Sequence, residues 1–143
     1  MNSVIVTETN CNVVEVTTQG PQGPPGPQGP VGPPGPANIP QNSQSGNYTL
    51  ALADDGGQVL HPNGAGAGNT FTIPANASVA FPIGAVVTFV NLDSNTLSIA
   101  ITSDTLYLAN SVTTGTRTLA QNSMATALKV AATIWLITGI GLT

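Results

Sequence analysis

Glycine occupies positions 20, 23, 26, 29, 32 and 35, and a proline follows every one of them. Six Gly-Pro-X triplets therefore run from residue 20 to residue 37 without a slip. A strict period of three has a steric meaning. Three polyproline-type strands wind together only where the residue at their shared axis has no side chain. Proline at the next position pre-sets φ and reduces the freedom of the unwound strand. A disordered linker of the same composition needs no such period. The repeat predicts that Gly20, Gly23, Gly26, Gly29, Gly32 and Gly35 lie on the axis of a collagen-type triple helix made by three copies of the chain. At about 3 Å per residue such a rod would be about 50 Å long. Its faces carry Gln22, Gln28, Val31 and Ala37, so nothing charged sets its register.

The parts on either side must then supply the register. Residues 1–19 read as two short strands. Val4, Ile5 and Val6 lie in the first, Val13, Val14 and Val16 in the second, and Asn10-Cys11-Asn12 turns the chain between them. A lone hairpin is marginal in water, so this one is expected to lean on other surfaces, as an attachment module. Residues 38–47 have linker composition. Residues 48–143 alternate like a sheet: Tyr48, Leu50 and Leu52 share one face, Asp54-Asp55-Gly56-Gly57 reads as a hairpin turn from which Gln58 to His61 returns, and Asp93-Ser94-Asn95 marks a later turn. Strands are expected over Thr70–Ile73, Ser78–Phe81, Ala85–Leu92, Thr96–Thr102, Thr105–Ala109, Val112–Leu119, Met124–Val130 and Thr133–Thr138. The expected fold is an all-β C-terminal head, a small sandwich or barrel, trimeric, carried on a short collagen-type triple helix with an N-terminal β-hairpin. With three Phe, one Trp and two Tyr, this head has a light core, which association would supplement.

Charge narrows the partners. Only 6% of the residues are charged, for a formal net charge of -4. The acids are Glu8, Glu15, Asp54, Asp55, Asp93 and Asp104; the cations are Arg117 and Lys129. Without a basic patch the chain is not expected to bind nucleic acid. No apolar run reaches the roughly 18 residues that a membrane span needs. The start, Met1-Asn2-Ser3-Val4, lacks the basic and apolar regions of a secretory signal, which predicts assembly in a cytoplasm.

Residues with catalytic chemistry are few and scattered. The single histidine, His61, reads as a turn-flanking residue in His61-Pro62-Asn63; it lies fifty residues from the single cysteine, Cys11, and the two form no nucleophile–base pair or metal cluster. Asp54-Asp55-Gly56-Gly57 lacks the alternating oxygen ligands and distal Glu of a calcium loop and reads as a turn. Gly64-Ala65-Gly66-Ala67-Gly68 has neither the Lys nor the helix of a phosphate loop. No carboxylates pair for acid–base work. The expectation is a chain that is not an enzyme and takes no cofactor or metal.

Two segments carry a family resemblance. Val4-Ile5-Val6-Thr7 through Val13-Val14-Glu15-Val16, running into Gly20-Pro21-Gln22-Gly23, resembles the opening of short collagen-like virion proteins of tailed bacteriophages. Thr70-Phe71-Thr72-Ile73-Pro74-Ala75-Asn76 through Phe81-Pro82-Ile83-Gly84, ending in Lys129-Val130 to Ile134-Trp135-Leu136-Ile137-Thr138-Gly139, resembles a head module at the C-termini of phage fibres. Members usually have Gly-Thr after the Phe-Pro-hydrophobic step, where this chain has Gly84-Ala85. The resemblance implies a homotrimeric head fibre or capsid decoration protein on the virion surface, assembled in the host cytoplasm and attached by its N-terminal strands to the major capsid protein or another virion protein. The alternatives are a tail fibre or tail-tip receptor-binding protein, which would touch a host-surface glycan through loops Asn63–Asn69 and Asn110–Gly115, and a bacterial collagen-like surface or spore-coat protein.

Overall fold

The computed structural model describes residues 20–35 and 38–143. The hairpin expected over residues 1–19, with Val4, Ile5, Val6, Val13, Val14 and Val16, lies outside the described residues. Contacts divide the chain into two units, Met1–Pro33 and Pro34–Thr143.

In the first unit the expected triple-helical shaft is not seen. Residues 20–35 carry no helix, strand or turn, and all are exposed. A Cβ added at Gly20, Gly23, Gly26, Gly29, Gly32 or Gly35 would meet nothing within 4 Å. The reason is physical. A Gly-X-Y strand makes no hydrogen bonds within itself. The crowded axis that demands glycine exists only where three strands wind, so a single chain leaves these residues solvated.

The second unit is one curled sheet of nine strands, a half-barrel, where a sandwich or closed barrel was expected. The strands are β1 (Gln41–Ser43), β2 (Tyr48–Thr49), β3 (Gln58–His61), β4 (Thr70–Ile73), β5 (Val86–Asn91), β6 (Leu97–Ile101), β7 (Thr105–Leu108), β8 (Arg117–Ala131) and β9 (Ile134–Leu142). A 3-10 turn spans Leu52–Asp54. β1 falls inside the stretch read as linker, because Gln41–Ser43 pairs with Gln58–Leu60 of β3.

Two parallel ladders explain the curl. One runs β1-β3-β5 and the other β2-β4-β6. Each excursion of the chain adds a strand to both. The expected hairpin through Asp54-Asp55-Gly56-Gly57 does not form: β2 pairs with β4, and β3 with β1 and β5. Strand 8 joins the ladders. Its Arg117–Leu119 arm runs antiparallel to β6, and its Ser123–Leu128 arm runs antiparallel to β5. Between the arms Asn122 takes a left-handed φ of 52°, and the register with β9 shifts between Leu119 and Met124. Such an extra residue bends a strand without ending it. The sequence suggested two strands here; the structure has one long bent strand.

The ladders stack apolar side chains. Phe71 sits beside Ile99, and Val59 beside Phe89. The core comprises Leu50, Val59, Phe71, Ile73, Phe81, Val87, Phe89, Leu97, Ile99, Leu106, Leu119, Trp135 and Ile137, with small Ala85, Ala125 and Ala127 between them. Phe81 meets Trp135 edge to face at 5.5 Å, and Phe71 meets Tyr48 in the same way at 6.2 Å, a favoured aromatic geometry. Ser78–Phe81, expected as a strand, is instead a turn held by amides of Ser78 and Val79 donating to Ala75 O. Pro74 and Pro82 bracket it and remove the donors a ladder would need.

Candidate interaction surface

Several polar groups inside the head are bound to one another. Asn91 is fully buried at the end of β5. Its amide donates to the carbonyls of Asn95, Leu119 and Ala120. Its Oδ1 accepts from the Asp93 amide and from His61 Nδ1 at 2.9 Å. His61 Nε2 then accepts from Asn69 Nδ2 at 3.0 Å. The histidine is therefore the Nδ1–H tautomer, fixed between two side-chain amides, and is a buried element of the core where the sequence suggested a turn-flanking residue. Asp93 accepts from the backbone and side-chain N–H groups of Asn95, both at 2.8 Å, and from the Gly66 amide. Hydrogen bonds from the Asn95 backbone and then its side chain hold the carboxyl at about 2, against the opposing effect of burial. The loop Asn63–Asn69, a candidate glycan contact, is thus tied inward through Asn69 and Gly66. In the other candidate loop, Asn110–Gly115, Val112 is fully presented to solvent, and Ser111 and Thr113 bond to each other.

A second network closes the sheet edge. Asp54 accepts from Asn42 Nδ2, Tyr48 Oη and the Ala51 amide. Burial, and then the bond to Asp54, push the Tyr48 phenol up from its ordinary value. A shallow pocket of about 230 Å³ lies beside this network, lined by Pro40, Gln41, Asn42, Ala53, Asp54, Gly57 and Gln58. Both Asp54 oxygens are already occupied. No group of three or more His, Cys, Asp or Glu side chains is placed to hold a metal among the described residues.

Both cations of the chain are buried. Lys129 donates to Asn76 Oδ1 at 2.6 Å and lies 5.7 Å from the centre of the Trp135 ring, within cation–π range. Arg117 is 8% exposed, and its Nε and Nη2 have no hydrogen-bond partner. Among the described acids, Asp54 and Asp93 are buried and Asp104 is half-buried, which leaves Asp55 as the exposed one. The head therefore presents a nearly uncharged surface. No helix among the described residues is long and apolar enough to cross a membrane.

The outward face of the sheet is where apolar groups meet solvent. Side chains opposite one another in a ladder share a face, so the registers of β3, β5, β8, β9 and β7 sort that face into rows. Leu60, Val90, Met124 and Ile140 form one row. Gln58, Thr88, Thr126 and Thr138 form the next. Val86, Leu128, Leu136 and Tyr107 form the third. Ile140 is 84% exposed, Met124 53%, and Leu128, Leu136 and Tyr107 37% each. A sheet face left to water ordinarily carries polar residues at these alternate positions. Here two apolar rows flank a hydroxyl row, within which the Thr88 and Thr126 hydroxyls lie 3.3 Å apart.

The sequence reading missed this face, although the signal was present. In Met124-Ala125-Thr126-Ala127-Leu128-Lys129-Val130 both alternating sets are largely apolar. One set faces the core, and the other was left without a partner. The axis glycines predicted from sequence lie on exposed chain, and the attachment strands lie outside the described residues. No family model, curated protein or solved structure matches this chain.

Proposed function

We propose that the chain is a structural protein of a tailed-bacteriophage particle, a homotrimeric head fibre or capsid decoration protein that holds its β head out from the virion surface. The observation that carries this reading is the chemistry of the head surface. Its cations are buried, the Asn91–His61–Asn69 and Lys129–Asn76 groups are engaged by one another, and its outward sheet face carries two apolar rows and no charge. Such a surface suits packing and not turnover. The resemblance of residues 4–23 and 70–84 to phage fibre proteins supplies the particle. The Gly-Pro-X stretch serves as a spacer between attachment module and head, and the N-terminal strands contact the major capsid protein or another virion protein.

The test is quantitative mass spectrometry of purified particles. A decoration protein is expected at tens to hundreds of copies relative to the major capsid protein. A few copies per particle would overturn this placement.

One observation favours a second reading, a tail-tip receptor-binding protein. The pocket at Gln41, Asn42, Asp54 and Gln58 is lined by amide and carboxylate groups, the kind of group that contacts sugar hydroxyls. Adsorption to host cells that survives removal of residues 48–143 would eliminate it.

A further inference from the structure

We infer that the three-row outward face formed by β3, β5, β8, β9 and β7 is the surface through which copies of this chain bind one another. The inference rests on the homotrimer reading above and adds where the contact lies.

Size is the first argument. Each row crosses four strands about 4.8 Å apart, and three rows about 6.8 Å apart cover roughly 400 Å², about two-thirds of it in the two apolar rows. That apolar share reaches the lower end of the range of the largest apolar patches on monomeric proteins, which are often functional surfaces. The exposed groups are not scattered. Met124 stands opposite Ile140, and Leu128 opposite Leu136, on neighbouring strands.

Charge selects the occupant. None of the twelve side chains in the rows is Asp, Glu, Lys, Arg or His. An average protein surface carries roughly a quarter charged residues, and pressing those against this face would bury charges without partners. A second copy of this chain brings almost none: 6% of its residues are charged, and both cations are already inside the head. Nucleic acid and anionic lipid find no cation to engage here.

The central row adds self-complementarity. A hydroxyl both donates and accepts, so with this face turned to a three-fold axis the Thr88, Thr126 and Thr138 row of each copy satisfies the same row of its two neighbours. A purely apolar partner would leave unmet the hydroxyl capacity beyond the Thr88–Thr126 contact. The row thereby favours a like surface over an aliphatic one.

The experiment uses the full chain, with molar mass followed by sedimentation over a range of concentrations. Wild type is expected to be oligomeric. Leu128→Asp with Ile140→Asp should be monomeric, while the emission of Trp135, buried in the core, stays as in wild type. Should that pair misfold, the milder Met124→Thr with Ile140→Thr keeps strand propensity and should raise the dissociation midpoint at least about tenfold. Ile83→Asp and Val112→Asp, at exposed apolar sites outside the rows, should leave the mass unchanged. A wild type that is monomeric or only dimeric would overturn the homotrimer reading itself. An oligomeric wild type whose mass is insensitive to the row variants, or equally sensitive to the two outside variants, would overturn the assignment of the face alone.

Discussion

Asn91→Leu removes the side chain that ties three parts of the head together. Asn91 is fully buried, and Leu has nearly its shape, so little volume is lost. What is lost is five hydrogen bonds: three donated to the Asn95, Leu119 and Ala120 carbonyls and two accepted from Asp93 N and His61 Nδ1. The bonds to Leu119 O, Asp93 N and His61 Nδ1 are buried. Each buried group left unpaired costs about 1–3 kcal/mol. The partners are coupled and water can reach the others, so a total of about 3–5 kcal/mol is expected, below the plain sum. Domains of this size have about 5–15 kcal/mol in all, so the variant would be marginal. Urea unfolding at fixed chain concentration, followed by the emission of the single Trp135, measures it. A loss under about 1 kcal/mol with an unchanged slope would refute the claim that this network holds β5, β8 and the Asn63–Asn69 loop together.

Gly139→Ala places a Cβ against Met124 O and the Cα of Ala125 across the β8–β9 ladder; the thermal midpoint should fall, with a loss of about 1–3 kcal/mol. Lys129→Met keeps the stem beside Trp135 but gives up the bond to Asn76, and should cost about 1–3 kcal/mol in urea unfolding. Acid should destabilise the head through Asp93. Its folded pKa of about 2 lies below the ordinary carboxyl value of 3.8, so its contribution is complete above about pH 4 and disappears as pH falls towards 2. Asp93→Asn should flatten the dependence of the thermal midpoint on pH in that window.

Much of the strand placement could be read directly. Thr70-Phe71-Thr72-Ile73 alternates between half-buried threonine and buried apolar residues, and the period of two appears in the letters. Partner choice could not be read that way. Alternation tells which side chains turn inward, but not whether a neighbouring strand runs parallel or antiparallel. The Asp54–Gly57 turn therefore suggested a hairpin where the chain builds two parallel ladders. Asn122 hid the continuity of β8, because Gln121-Asn122-Ser123 has turn chemistry and a bulge uses the same residues as a loop. The Gly-Pro-X stretch misled for a different reason. Its period describes a property of three chains, and one chain has no axis to display. His61 was undervalued because its partners, Asn69 and Asn91, are far off in sequence and meet it only once β3 and β5 are paired.

The central claim is that copies of this chain decorate the shell of a phage particle as trimers. Electron microscopy of purified particles, compared with particles lacking the protein, tests it most directly. The account predicts that the difference density consists of small three-fold projections, each joined to the capsid surface by a thin stalk and repeated over the shell. Density confined to the tail tip, or no density on the particle at all, would contradict it.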